Sequence, residues 1–323
     1  MTRLGCTIFH AALAFCAGCS QESGELADMS AESAPSVLIA HRGASAYAPE
    51  HTREAYELAL EQGADFIEPD LQITQDGVLI ALHDLTLGRT TNVREVFPDR
   101  FREELVRGES VRRWYANDFT LEEIRELDAG SWFDPRFEGA RVPTLSEVIE
   151  LARGQAGIFP ETKAPEVYGD RGYDMERLLV AELERHGLHQ TSANPDTGVM
   201  IQSFSLESLR IIRHDLGSDL PLTFLISGPD ADAWLTPEGL AEVSEVATGI
   251  GPTKSLLLQN PDAVDLAHEA GLTVIPWTFR ARDASEFATV VEEMAHFLFE
   301  LGVDGLFTNN PDLFPRTPPE EGS

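Results

Sequence analysis

The sequence predicts an α/β fold, a (β/α)8 TIM barrel with an inserted segment after the second strand region. Three observations predict it. Eight short apolar segments recur between residues 37 and 308. Amphipathic, helix-like segments separate most of them. Ionisable residues collect where the apolar runs end, which is where α/β folds place their chemistry. A doubly wound open sheet is the alternative that this pattern leaves open.

The 323-residue chain starts with a stretch that does not belong to the barrel pattern. Ile8 to Ala17 is largely apolar, and Cys16-Ala17-Gly18-Cys19 resembles a bacterial lipoprotein cleavage site. A short apolar run with small residues at the cut reads as a signal peptide over 1–19, too short to span a bilayer. Cys19 becomes the expected lipid attachment point, and the protein is expected to be exported and membrane-attached in the envelope, or periplasmic. All three cysteines (Cys6, Cys16 and Cys19) lie in this region. The rest of the chain has no cysteine pair and must rely on its core. Residues 20–36, rich in Ser, Glu, Ala and Pro, read as a flexible tether. The barrel is expected over 37–315, with a short tail at 316–323.

The first expected strand, 37–41, ends in His41-Arg42 and is followed by Gly43-Ala44. Small residues let a backbone approach a phosphate closely. His41 suits proton transfer and Arg42 suits the phosphoryl oxygens. The plain alternative is a capping His beside a surface Arg. Pro49-Glu50-His51-Thr52 then enters a helix over 52–62, with Thr52 as a cap and Tyr56, Leu58, Ala59 and Leu60 marking its apolar face. Glu50 is a candidate support for a metal or for Arg42.

The second strand, 65–71, carries Glu68 and Asp70 two residues apart, so both side chains share one face. Buried carboxylates repel each other unless a cation or proton neutralises them. This pair is the strongest metal signal in the chain. Pro69 between them fits a strand whose ladder is ending. A Gln75-Asp76-Gly77 turn and an apolar run at 78–82 lead to His83-Asp84, an excursion doubling back over the barrel mouth. His83 is the second candidate proton-transfer group.

Residues from about 85 to 140 break the alternation. The stretch is charged and rich in Arg and aromatics, and too long for an ordinary loop. It reads as an insertion beside the mouth. A helix is expected over 118–127, opened by Thr120 with Glu123 three residues on, and Thr144 with Glu147 repeats that box for a helix over 144–153. The third strand, 156–161, ends in Glu161, the natural third oxygen ligand. Lys163 follows on the same face, one of only two lysines. It can balance the carboxylates or hold a phosphate oxygen; a surface Glu–Lys pair is the plain alternative. Further strands are expected at 199–204, 221–226, 246–250, 272–279 and 303–308. Helices are expected at 173–187, 205–215, 237–243, 260–270 and 284–301. Trp277 is either a substrate wall or a core plug. Thr308-Asn309 reads as a turn and cap rather than a ligand pair.

The chain holds 55 acidic against 24 basic residues, a formal charge of −31. No basic stripe is available, which excludes nucleic acid as a partner. An anionic substrate approaches against this field, so a cation and local Arg or Lys must reverse it inside the site.

HRG at 41–43, PEHT at 49–52, Glu68 and Asp70, and HD at 83–84 together resemble the glycerophosphodiester phosphodiesterase family. ETK at 161–163, QSF at 202–204, IGP at 250–252, WT at 277–278 and DGLFTNNPD at 304–312 extend the resemblance over most of 37–315. FPDRFR and DFTLEEI in the insertion resemble its periplasmic or lipoprotein branch. The resemblance implies a (β/α)8 barrel, His41 and His83 as acid/base pair, Glu68, Asp70 and Glu161 around one divalent cation, and Arg42 and Lys163 on phosphate. It implies a small-molecule glycerophosphodiester (a deacylated phospholipid) as substrate, with glycerol 3-phosphate and an alcohol as products. All-oxygen ligands suit Ca²⁺ or Mg²⁺; the branch favours Ca²⁺. His51 departs from the Asn common in the wider family and stays outside the catalytic pair. Three rivals stand beside this reading: a lysophospholipase D-like phosphodiesterase, a metal-dependent isomerase or aldolase on the same barrel, and a non-catalytic phosphodiester-binding lipoprotein.

Overall fold

The computed structural model describes residues 36–192, 197–284 and 286–318. The expected signal peptide, Cys19, nearly all of the tether and the end of the tail lie outside the described residues.

Backbone hydrogen bonds join eight parallel staves into a ring. Val37–Ala40 pairs with Gly305–Thr308 on one side and Phe66–Ile67 on the other. Phe66–Ile67 pairs with Gly157–Ile158, and the same two staves resume as Asp70–Ile73 against Glu161–Thr162. The interruptions fall at Pro69 and Pro160, which have no N–H to give the ladder. Ile201–Ser203, Leu222–Ile226, Gly249–Pro252 and Thr273–Val274 continue in order. The ring closes where Phe279 bridges Thr308. The eight expected strands all appear, and the sheet is a barrel rather than an open one.

Alternation along the staves sorts the core. Ile39, Phe159, Ile275 and Phe307 form the inner cluster, with the Phe159 and Phe307 ring centroids 5.3 Å apart. Leu38, Ala40, Ile67 and Leu222 belong instead to the large cluster under the surrounding helices. Two residues beyond each inner side chain stand His41, Glu161, Trp277 and Asn309. The site is therefore the next layer of the barrel interior.

The helices start at the expected caps. The Thr52 hydroxyl accepts from the Ala55 N–H and opens Arg53–Glu61. Thr120 and Thr144 both form reciprocal boxes with Glu123 and Glu147. The helix expected over 118–127 shortens to Leu121–Ile124, because the chain turns into the Asp128 loop. The one expected over 284–301 begins at Val290, where Thr289 caps it. Short helices at Pro165–Gly169, Ala231–Trp234 and Lys254–Gln259 were not expected.

The segment after the second stave first folds back, with Leu79–Ala81 antiparallel to Asp70–Ile73. It then builds a small core of its own from Ile80, Leu87, Val93, Trp114, Phe119 and Leu127. An unexpected hairpin, Arg102–Val106 with Glu109–Arg113, projects from it. Its turn residues Arg107 and Gly108 both have positive φ, as a two-residue hairpin turn requires. Most of its side chains are exposed, so it lacks the apolar alternation that marks a strand in sequence.

Candidate active site

The first stave delivers His41 and Arg42 through a tight turn. A side chain at Gly43 would place its Cβ 2.6 Å from the Ala55 carbonyl carbon, and Gly43 has φ +80°. Only glycine fits both demands. Arg42 itself lies at φ 58° and His51 at φ 56°, unusual for residues with side chains.

His41 is buried, 6% exposed. Its Nδ1 lies 2.8 Å from Asn309 Oδ1, an acceptor, so Nδ1 carries the proton. Nε2 keeps its lone pair, 3.5 Å from Thr278 Oγ1 and 3.9 Å from Glu68 Oε2. Burial, and then the Arg42 charge, hold its pKa well below the usual imidazole range. His41 is thus a neutral base at neutral pH.

The three candidate ligands converge. Oxygens of Glu68, Asp70 and Glu161 lie within 4.8 Å of one another, and all three residues are buried. Glu68 accepts from Gln202 Nε2 at 2.8 Å and from the Arg42 backbone N–H at 3.0 Å. Burial and the Asp70 charge nevertheless push its pKa up to about 8. Burial and Asp70 also hold the Glu161 carboxyl well above its ordinary value. Burial opposes ionisation of Asp70 too, but Lys163, His51 and Arg42 outweigh it and keep Asp70 charged. Three desolvated carboxylates that cannot all ionise alone, offering oxygen donors only, fit a hard divalent cation.

Positive groups frame the triad. Lys163 Nζ donates to both Glu161 oxygens at 2.9 and 3.0 Å. Arg42 Nε lies 3.1 Å from Asp70 Oδ2, and its Nη1 donates to Glu50 Oε1 at 3.1 Å. His51 Nε2 is 2.9 Å from Asp70 Oδ2, and its Nδ1 is 2.8 Å from the Tyr56 hydroxyl. His51 thus fixes a candidate ligand.

His83 arrives on the excursion. Its Nδ1 lies 2.6 Å from Asp84 Oδ1, which leaves Nε2 available. Arg89 donates to Asp84 through Nε at 2.7 Å. Despite burial, the His83 and Arg89 hydrogen bonds hold the Asp84 carboxyl well below the usual carboxylate range.

One cavity of about 130 Å³ is lined by His41, Arg42, Glu68, Asp70, His83, Glu161, Lys163 and Trp277, all eight of the residues expected at the site. Trp277 lines the cavity and packs on the inner cluster, with its indole N–H 2.6 Å from the Gly251 carbonyl. A larger cavity of about 420 Å³ beside the helix Arg53–Glu61 has none of these residues, so size alone does not locate the chemistry. Three contributors went unread in the sequence. Asn309 reads as a cap; Arg280 follows the apolar run at 272–279, which is a strand-end signal; Arg89 carries no sequence signal of its position.

Comparison with known proteins gives the family. Residues 41–313 match the glycerophosphoryl diester phosphodiesterase family. A glycerophosphodiester phosphodiesterase of Bacillus subtilis is 38% identical over 288 residues, covering 87% of this chain and 85% of its own. One of Haemophilus influenzae is 31% identical, covering 92% of this chain and 93% of its own. The crystal structure of a glycerophosphodiester phosphodiesterase from Agrobacterium tumefaciens superposes with a TM-score of 0.62 at 29% identity, over 86% of this chain and 98% of that one. An Oleispira antarctica phosphodiesterase, in complex with the product sn-glycerol-3-phosphate, shares the fold with a TM-score of 0.66 at 24% identity, over 86% and 94% of the two chains.

Proposed function

The chain belongs to the glycerophosphoryl diester phosphodiesterase family, and on that premise we propose that it hydrolyses glycerophosphodiesters to glycerol 3-phosphate and an alcohol by metal-dependent His/His acid–base catalysis. It is an enzyme of the glycerophosphodiester phosphodiesterase class, as its relatives over most of its length are. The observation that carries the finer reading is the convergence of two histidines, three carboxylates, an arginine and a lysine on one cavity.

Glu68, Asp70 and Glu161 would hold the cation, with Ca²⁺ favoured over Mg²⁺. When bound, the cation supplies Lewis acidity toward a phosphoryl oxygen. Arg42 and Lys163 bind the remaining phosphoryl oxygens and stabilise the charge that grows on them in the transition state. Trp277 walls the substrate. His41, neutral with Nε2 unprotonated, takes the proton of the attacking hydroxyl. His83, its Nδ1 backed by Asp84, protonates the departing alkoxide oxygen as the P–O bond breaks. If the glycerol 2-hydroxyl attacks first, a cyclic phosphate forms, and water opens it with the two histidines exchanging roles. Direct attack by water needs only the first pass. The rival readings gain nothing: the relatives are named for glycerophosphodiester substrates, and no site histidine or carboxylate is missing.

Calorimetric titration of the chelated protein with Ca²⁺ and Mg²⁺ tests the cation assignment. Tight one-site binding of Ca²⁺, lost in Glu68→Gln and in Asp70→Asn, supports it. Unchanged binding in both variants would move the ion elsewhere.

A further inference from the structure

Beside the catalytic cavity lies a second one of about 580 Å³. The two share His41, Arg42 and Arg280. Their remaining walls differ in kind. The small cavity is closed by apolar Phe204, Leu225, Trp277 and Phe307. The large one presents four guanidinium groups, from Arg42, Arg89, Arg280 and Arg282, and among the described residues Glu50 is the only carboxylate in its lining. In a chain with 55 acids against 24 bases, this is a local concentration of positive groups facing one cavity.

Two of these arginines are committed. Arg89 is hydrogen-bonded to Glu50 and Asp84, and Arg42 is paired with Glu50 and Asp70. The other two are held loosely. Among the described residues, Arg280 Nε is buried without a hydrogen-bond partner, and its Nη1 stands 3.7 Å from Asp283. Arg282 Nε stands 3.5 Å from the same Asp283 oxygen, on a side chain 77% exposed. One carboxylate thus faces two guanidiniums, at 3.5 and 3.7 Å. Burial, and then the nearby Arg42 charge, depress the Arg280 pKa. Like charges gathered this way are relieved by an anion between them.

The two cavities also differ in size as the two halves of a glycerophosphodiester do. The phosphodiester belongs at the shared residues. The small cavity suits glycerol, the constant half. The large one suits the alcohol, the half that varies. Trp132, 40% exposed and fixed by its indole N–H on the Ala129 carbonyl, offers that alcohol a flat wall at the opening.

We propose that the Arg280–Arg282 vestibule is a head-group subsite that selects alcohols carrying an additional anionic group, a phosphate or carboxylate, over neutral and quaternary-ammonium head groups. This rests on the catalytic cavity being the phosphodiesterase site. The test compares glycerophosphoinositol 4-phosphate, glycerophosphoinositol and glycerophosphocholine on the full chain. The expected order of kcat/KM is the order just given, with the added phosphate worth about fivefold or more at low salt and the preference shrinking as salt rises. In Arg282→Glu, an exposed position, the ratio of the first two substrates should fall to about one, through KM rather than kcat. Equal kcat/KM for the two inositol substrates in the wild type, or an unchanged ratio in Arg282→Glu, overturns the proposal. If none of the three turns over, the catalytic reading fails, and titration with inositol 4-phosphate decides the vestibule by itself. Binding that Arg282→Glu weakens supports the subsite, and no binding overturns it.

Discussion

Arg89 grips both oxygens of the Glu50 carboxylate, 39 residues away in the chain, with Nη1 3.0 Å from Oε2 and Nη2 2.7 Å from Oε1. The same guanidinium holds Asp84, which holds His83, while Glu50 holds Arg42. One residue at the start of the inserted segment therefore ties the orientation of a candidate acid to that of a candidate phosphate ligand. The tie also explains why burial does not neutralise Glu50: the hydrogen bond from Arg89 and the charge of Arg42 overcome it and hold the carboxyl down to about 2.

Loss of this clamp should slow turnover while leaving both histidines, the three carboxylates, Arg42 and Lys163 in place. Arg89→Ala is expected to lower kcat by about 10- to 100-fold. Arg89→Lys should recover only a small part, because an ammonium cannot serve two carboxylates with a planar fork. Steady-state kinetics of the two variants check this, and wild-type kcat in Arg89→Ala would show that Glu50 and Asp84 need no bridge.

In the proposed mechanism His41 and His83 carry the proton transfers. His41→Ala and His83→Ala should each reduce kcat by about 10²–10⁴. Asn309→Ala should cost less, since it removes only the acceptor that fixes the His41 tautomer, and should alter the pH profile of kcat/KM. Turnover retained in His83→Ala would remove that residue from the mechanism.

The inserted segment has its own pH signature. Asp128 accepts from the backbone N–H groups of Gly130, Ser131 and Gly139. Burial opposes its charge, but those N–H groups prevail and lower the carboxyl from 3.8 to about 2. A depressed carboxylate stabilises the fold above its unfolded pKa and loses that contribution as pH falls through its folded one. Asp128→Asn should therefore melt below the wild type at neutral pH. The gap should close as pH falls from about 4 towards about 2. A gap independent of pH would assign the loss to packing instead.

Much of the barrel and its site could be read in the residues because the chemistry sits at strand ends. His41, Glu68, Asp70 and Glu161 each close an apolar run, and the period of two put Glu68 and Asp70 on one face. Thr120 and Thr144 declared their helices through local hydrogen bonds. The hairpin Arg102–Val106 and Glu109–Arg113 was illegible because both of its faces are wet and charged. The Arg89–Glu50 contact was illegible for another reason. It depends on how the inserted segment docks, a relation between distant parts that no local period encodes. Arg280 and Asn309 sat at strand ends and were read too lightly, the latter because capping and orienting a histidine use the same residue type.

Cation dependence of the proposed phosphodiesterase is tested most directly by chelation. Glycerol 3-phosphate release from glycerophosphoinositol should be measured with the purified protein, then after EDTA, then with Ca²⁺ or Mg²⁺ restored. EDTA should abolish release, and Ca²⁺ should restore it more fully than Mg²⁺. Release that persists through complete chelation, from folded protein, would contradict it.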